Sequence, residues 1–255
     1  MSNSTDYVVV IPARYESSRL PGKALRDIHG KTLLQHVWEK AKSSNARRVV
    51  IATDHDLIYK AASNFGAQAV LTSASHSCGS DRIAECARKL AWPDQQLIVN
   101  LQGDEPLMPS QCLEQVAGLL AGVPDADAAT LFWPIEHADE IIDPNVVKVT
   151  MDQKGNALMF SRAVLPYPRD FASPAEALAA GFGWRRHLGL YAYRAASLQK
   201  FSETAPTPLE KSERLEQLRI LETGGKIILE QACLPIPAGV DTASDLERIR
   251  KILSG

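Results

Sequence analysis

Three cations, Arg14, Arg19 and Lys23, stand close together near the start of the chain, inside the segment Ile11-Pro12-Ala13-Arg14-Tyr15-Glu16-Ser17-Ser18-Arg19-Leu20-Pro21-Gly22-Lys23. They follow directly on the apolar run Val8 to Ile11. Gly22 has no Cβ and lets backbone amides approach an anion, while Pro12 and Pro21 stiffen a loop that is otherwise costly to order. Cations in this pattern suit an anion of several charges, such as a polyphosphate. Acids appear in two later runs, Asn100-Leu101-Gln102-Gly103-Asp104-Glu105-Pro106 and Gly239-Val240-Asp241-Thr242-Ala243-Ser244-Asp245-Leu246-Glu247. Carboxylates beside a phosphate loop suggest Mg²⁺, a hard cation that takes one or two carboxylates and completes its shell with phosphate oxygens. Each run also has a plainer reading. Gly103 and Pro106 are common turn residues, and Asp241 or Thr242 can cap a final helix whose first turn favours Asp245 and Glu247.

Two further groups carry chemistry. Ser77-Cys78-Gly79-Ser80-Asp81-Arg82 is a small-residue turn opening a helix, with Ser80 expected as its N-cap. Arg82 then falls in the first turn, where the helix dipole disfavours a cation; either a bound anion offsets this or the side chain is simply exposed. Arg162, in Phe160-Ser161-Arg162, offers the planar fork that grips a carboxylate through two hydrogen bonds. His187 and Tyr191 are four residues apart on an expected strand and share one face. A helix expected from about Leu209 to Glu222 packs through Leu215 and Leu218 and leaves most of its acids, including Glu210, Glu213 and Glu216, on a solvated face.

The elements that must position these residues follow from periodicity. Strands at Val8–Ile11, Arg48–Ala52, Ala69–Leu71, Leu97–Leu101 and Ala128–Phe132 alternate with helical patterns at about Thr32–Lys42, Leu57–Phe65, Ser80–Leu90 and Ser110–Leu120. Such alternation implies right-handed crossovers and a mainly parallel sheet with its ligands at the carboxyl ends of the strands. Beyond residue 134 the pattern changes. Strands at Val146–Met151, Ala157–Ser161 and Leu188–Tyr193 are separated by longer polar segments, so a lobe over about 134–208 is expected to cover a substrate or carry a dimer contact. A last strand at Lys226–Leu234 and a helix at Ser244–Leu253 close the chain.

Composition bounds the partners. The chain has 255 residues, 45% hydrophobic and 23% charged, with a formal net charge of −2. This is an ordinary globular balance with no basic field for nucleic acid. No apolar run approaches the about 20 residues that span a bilayer. The segment Met1 to Asp6 has neither a basic nor an apolar region of an export signal, so a cytoplasmic location is expected. The four cysteines form no CxxC pair and read as reduced packing residues.

Taken together, the motifs resemble the sugar-activating cytidylyltransferases, and in particular the 3-deoxy-manno-octulosonate cytidylyltransferase family, over nearly the whole chain. The matching segments are Ile11–Lys23, Ala52–His55, Asn100–Pro106, Asp143–Val149, Phe160–Arg162, Arg186–Arg194, Leu215–Glu222 and Gly239–Thr242. Gly79-Ser80-Asp81-Arg82 departs conservatively from the Gly-Thr-Glu-Arg of many relatives. The resemblance implies a single α/β domain of nucleotide-diphospho-sugar transferase-like (Rossmann-like) fold, with a mainly parallel sheet, helices on both faces and a smaller dimerisation and substrate lobe. It implies CTP and an acid sugar as substrates, Mg²⁺ on Asp104 and Asp241, a homodimer, and a role in making the inner core of lipopolysaccharide. By the same resemblance Lys23, Asp104, Asp241 and Arg14 carry catalysis. Arg14, Arg19, Lys23, Gly79, Arg82 and Gln102 would hold the nucleotide, and Arg162, His187, Tyr191, Glu216 and Gln217 the sugar acid. The expected reaction is in-line attack of the sugar's C2 hydroxyl on the α-phosphorus of CTP, which depends on positioning and charge stabilisation. The same chemistry on an 8-amino octulosonate or a sialic acid, and a non-catalytic nucleotide-binding protein, are the alternatives. A dinucleotide dehydrogenase is disfavoured because no GxGxxG follows the first strand.

Overall fold

Tyr7 to Ile11 shows no alternation of polar and apolar residues, and the strand it forms is covered on both faces, as a central parallel strand must be. A computed structural model describes residues 5–17, 19–76 and 78–254. Ser18 and Ser77 of the motifs above, and the first four residues of the N-terminal segment, lie outside the described residues. The first half of the chain comprises β1 (Tyr7–Ala13), β2 (Asp27–Ile28), β3 (Lys31–Thr32), α1 (Leu33–Lys42), β4 (Arg48–Thr53), α2 (Asp56–Asn64), β5 (Gln68–Leu71), α3 (Gly79–Lys89), β6 (Leu97–Asn100), α4 (Ser110–Gly122) and β7 (Ala128–Pro134). The second comprises α5 (Ala138–Ile142), β8 (Lys148–Met151), β9 (Ala157–Ser161), α6 (Pro174–Ala179), β10 (Arg185–Arg194), α7 (Ala195–Glu203), α8 (Pro208–Glu213), α9 (Leu218–Glu222), β11 (Ile227–Gln231) and α10 (Ala243–Leu253).

The main sheet runs β11-β7-β10-β6-β1-β4-β5, and the β8–β9 hairpin joins it through β10. All strands of that path run parallel except β10, which is antiparallel to both neighbours. The mainly parallel sheet with helices on both faces is therefore as expected. Alternation along β1 divides the core. Val9 and Ile11 face a layer of α1, α2 and α4 through Leu34, Val37, Ile58, Leu113 and Val116. Val8 and Val10 face α3, α7 and α9 through Ile83, Ala87, Leu198, Phe201 and Leu218. A small separate cluster of Ile135, Ile141, Ala177 and Trp184 holds α5 and α6 together beyond the sheet.

Three features differ from the sequence reading. The β2–β3 hairpin and the helices α5, α6 and α7 were not anticipated. Helix α3 begins at Gly79 with extended Cys78 in the capping position, so Ser80 is not the cap but a buried residue of the first turn. The helix expected over Leu209–Glu222 is broken at Arg214, which adopts a left-handed conformation with φ of 54°. A continuous helix would set Glu210, Glu213 and Glu216 along one stripe. The break turns each inward instead: Glu210 pairs with Arg219, Glu213 accepts from the Ser161 hydroxyl and the Arg162 amide, and Glu216 is enclosed. The expectation that these acids are solvated is thereby corrected, while Leu215 and Leu218 are buried as expected.

Candidate active site

The loop leaving β1 carries its cations across the carboxyl end of the sheet. Gly22 takes φ of 64°, a left-handed turn that glycine adopts without strain, and starts the single helical turn Lys23–Leu25. That turn aims the Lys23 ammonium at two carboxylates, 2.5 Å from Asp104 Oδ2 and 3.2 Å from Asp241 Oδ1. An Arg19 guanidinium nitrogen lies 3.1 Å from the same Asp241 oxygen. Asp104 follows β6 and Asp241 precedes α10; their backbones are tied where the Val240 amide donates to the Asp104 carbonyl at 2.8 Å. This approach requires Gly239, because a Cβ there would stand 2.9 Å from the Asp104 carbonyl oxygen. Thr242 rather than Asp241 caps α10, in a capping box with Asp245, so the Asp241 carboxylate is free of the capping duty. The cleft encloses about 730 Å³ and is lined by Arg14, Glu16, Ser17, Arg19, Lys23, Gln102, Asp104 and Asp241. Neighbouring Glu105 has its carboxyl pushed up to about 8, by burial first and then by the charges of Asp104 and Asp241.

A second cavity of about 640 Å³ adjoins the first, sharing Pro12, Arg14 and Gln102 and adding His76, Cys78, Gly79, Arg82 and Glu216. Arg82 is neither exposed nor poised for a free anion. It is 4% exposed, and its guanidinium donates to Asp54 at 2.7 Å and to the Thr72 hydroxyl at 2.6 Å, so it shapes the wall through its partners. Asp54 belongs to the Ala52-Thr53-Asp54-His55 segment, whose His55 ring stacks on Tyr15 at 4.1 Å and caps α2 through Nδ1. Glu216 is enclosed on this wall. Burial raises its carboxyl, and its Oε2 has no hydrogen-bond partner. Nε2 of adjacent Gln217 is likewise buried and unpartnered. Unpaired buried polar atoms cost about 1–3 kcal/mol each, and such groups beside a cavity point to a polar occupant.

Of the residues expected to hold the sugar acid, only Glu216 lines this cavity; Arg162, His187, Tyr191 and Gln217 are not among the residues lining either one. Tyr191 on β10 lies directly across from Asn100 on β6, two residues before Gln102. The His187 ring packs 5.3 Å from Tyr191 and edge-on to Phe160 at 5.0 Å, and burial drives its pKa down to about 3, leaving a neutral imidazole. Arg162 is less free than its fork suggests: Nε donates to the Glu213 carbonyl and Nη1 to the Pro144 carbonyl, both at 2.7 Å.

The chain is similar to known proteins along nearly its whole length. Residues 8–227 match the family model described as Cytidylyltransferase. A 3-deoxy-manno-octulosonate cytidylyltransferase of Pseudomonas fluorescens is 51% identical over 98% of this chain and 99% of its own. One from Cellvibrio japonicus is 48% identical over 97% and 98%. The solved structure of CMP:2-keto-3-deoxy-manno-octonic acid synthetase complexed with CTP superimposes with a TM-score of 0.89 at 38% identity, covering 98% of both chains. The chain belongs to the 3-deoxy-manno-octulosonate cytidylyltransferase family. Its sheet is accordingly that of the nucleotide-sugar transferase-like fold.

Within this cytidylyltransferase the two carboxylates form a donor set suited to a hard divalent ion. Asp104 and Asp241 present oxygens on either side of a single ammonium charge, where a compact cation already fits. Among the described residues no group of three or more His, Cys, Asp or Glu forms a complete cage. An ion there would finish its shell with substrate oxygens and water, the habit of Mg²⁺ rather than of zinc. Sequence reasoning missed His76, which lines the second cavity and is tied through Nε2 to Glu85, and Glu16 and Ser17, which line the first. His76 sits three residues before Gly79, immediately ahead of the small-residue segment that begins at Ser77, and that proximity was the one available signal.

Proposed function

We propose that this chain transfers the CMP group of CTP to the C2 hydroxyl of 3-deoxy-manno-octulosonate, releasing pyrophosphate. The observation that carries the reading is the pairing of Lys23 and Arg19 with the carboxylates of Asp104 and Asp241, in a cleft that Arg14 also lines and that adjoins a cavity walled by Glu216, whose buried Oε2 has no partner. Arg14, Arg19 and Lys23 neutralise the triphosphate and then the departing pyrophosphate. Gly79, Arg82 and Gln102 wall the nucleoside side, with Arg82 acting through Thr72 and Asp54. The sugar acid meets Arg162, His187, Tyr191, Glu216 and Gln217. A neutral His187 hydrogen-bonds hydroxyls without presenting a charge, while the sugar carboxylate requires Arg162 to exchange a backbone carbonyl for it. Asp104 and Asp241 would hold Mg²⁺, which when bound neutralises phosphate oxygens and lowers the pKa of the attacking hydroxyl.

A homodimer forms part of the same reading. Exposed Ile142, Leu158 and Tyr167 project from the segments beyond β7 and are the apolar side chains a second copy would cover. Sedimentation at micromolar concentration should give the mass of two chains, and a single-chain mass would withdraw this part. No described helix is long and apolar enough to cross a membrane; a cytoplasmic location is proposed, and cell fractionation checks it. The reaction is tested by pyrophosphate release from CTP with 3-deoxy-manno-octulosonate, its 8-amino analogue or a sialic acid. Release with the first alone supports the assignment, and preference for another acid sugar moves it to that substrate.

A further inference from the structure

The two carboxylate-bearing segments meet a second time, at a pair of thiols that the proposed reaction does not use. Cys112 stands on α4 eight residues after Asp104, and Cys233 stands eight residues before Asp241. Their sulfurs are 3.8 Å apart although 121 positions separate them in the chain. Cys112 is buried and Cys233 exposed. Hydrogen bonds fasten the same place: Gln115 Nε2 donates to the Gln231 carbonyl and the Cys233 amide donates to Gln115 Oε1, each at 2.8 Å. The backbone then runs without regular structure from Ala232 to Asp241, touching the Asp104 carbonyl at Val240.

We propose that Cys112 and Cys233 are a thiol-modification site, in which exchange with a small-molecule disulfide such as oxidised glutathione forms a bond that cross-links the segments carrying Asp104 and Asp241. The sulfurs are already in van der Waals contact, and closing to the about 2.05 Å of a disulfide asks for side-chain rotation and a small shift of an irregular loop. The remaining cysteines offer no rival partner nearby. Cys86 and Cys78 pack in the core layer on the other face of the sheet from Cys112.

The exchange balances in two steps. The thiolate of exposed Cys233 attacks one sulfur of glutathione disulfide and releases a glutathione thiolate. Cys112 then loses its proton and displaces the second glutathione thiolate from Cys233. Two protein thiols become one disulfide, one glutathione disulfide becomes two thiols, and the two protons pass to the released thiolates. Burial, and then the nearness of Cys233, push the Cys112 thiol up to about 12, which makes the second displacement the slower step.

The test is incubation of the native full chain with oxidised glutathione at mild alkaline pH, followed by intact mass, thiol titration and peptide mapping. The expected result is the loss of two hydrogen atoms in mass, two of the four thiols consumed, and one linked Cys112–Cys233 peptide. The melting temperature should rise by about 10 °C, because the bond closes a loop of more than one hundred residues. The surface variant Cys233→Ser should keep its remaining thiols under the same treatment, and Cys112→Ser should stop with glutathione attached to Cys233. A wild-type chain that keeps both thiols, stops at the glutathione adduct, or links either cysteine to Cys78 or to another chain overturns the proposal.

Discussion

Replacing Lys23 by alanine separates two roles that one ammonium could hold. Lys23 is either a counter-ion that keeps Asp104 and Asp241 together or a group that acts on the phosphates. The folded-state cost follows from the geometry: the side chains of Lys23, Asp104 and Asp241 are 18%, 28% and 49% exposed. Ion pairs this accessible contribute about 0.2–1 kcal/mol each. Losing both costs at most about 2 kcal/mol, and a chain of this size loses roughly 2–4 °C of melting temperature per kcal/mol. The expected fall in Tm is therefore about 2–8 °C, with the fold kept. The kinetic cost is larger, since removing one preorganised donor lowers kcat by about 10²–10³, or roughly 3–4 kcal/mol of barrier. The assay is coupled pyrophosphate release, with kcat and KM for CTP measured across a Mg²⁺ titration and a melt of each preparation. At saturating Mg²⁺ the carboxylates have another cation, so a purely electrostatic spacer would no longer be missed. A Lys23→Ala enzyme within about threefold of wild-type kcat at saturating Mg²⁺ refutes the phosphate role.

Further expectations concern the walls of the site. Arg82→Ala strands the largely buried Asp54 carboxylate without its partner; loss of one member of a buried pair costs about 3–5 kcal/mol, and Tm should drop by roughly 6–20 °C, which a calorimetric melt reads. His187 has a folded pKa lowered to about 3 by burial. Below pH 6.5 the unfolded chain therefore binds a proton that the folded chain refuses, and stability falls as pH falls from about 6.5 towards 3. Between pH 6.5 and 5.0 this group accounts for about 1.5 kcal/mol, so the unfolding free energies of wild type and His187→Gln, taken from urea titrations, should diverge by that amount over the interval; parallel curves contradict an imidazole held neutral in the folded chain. Chelation should abolish turnover and added Mg²⁺ restore it. Asp104→Asn and Asp241→Asn should each remove most activity, with the double variant little worse than either, because both act on one ion; multiplying losses in steady-state assays would separate the two carboxylates.

The parallel half of the fold was legible because each strand there is a short apolar run followed by a helix with clear periodicity. Tyr7–Ala13 and Leu97–Asn100 form adjacent buried strands whose carboxyl ends hold the two loops first singled out. Lys23, Asp104 and Asp241 were visible as residue types, and the structure brings them within hydrogen-bond reach although they come from three distant segments. What failed was partnership. Arg82 read as either exposed or anion-bound because its acid lies 28 positions earlier in the chain, and Glu210 looked solvated because a helix break turns it toward Arg219. Such long-range pairings leave no periodic trace. Small helices such as α5 and α6 were missed for a related reason: they hold only because a separate apolar cluster around Trp184 gathers them, and short helices have little stability of their own.

The most direct measurement is the fate of labelled CTP incubated with the protein, Mg²⁺ and 3-deoxy-manno-octulosonate. Label in the α-phosphate should appear in a sugar nucleotide and label in the γ-phosphate in pyrophosphate, both dependent on the sugar. Label from the γ-phosphate released as inorganic phosphate, or α-label remaining in CTP while the nucleotide binds tightly, would contradict the proposed transfer.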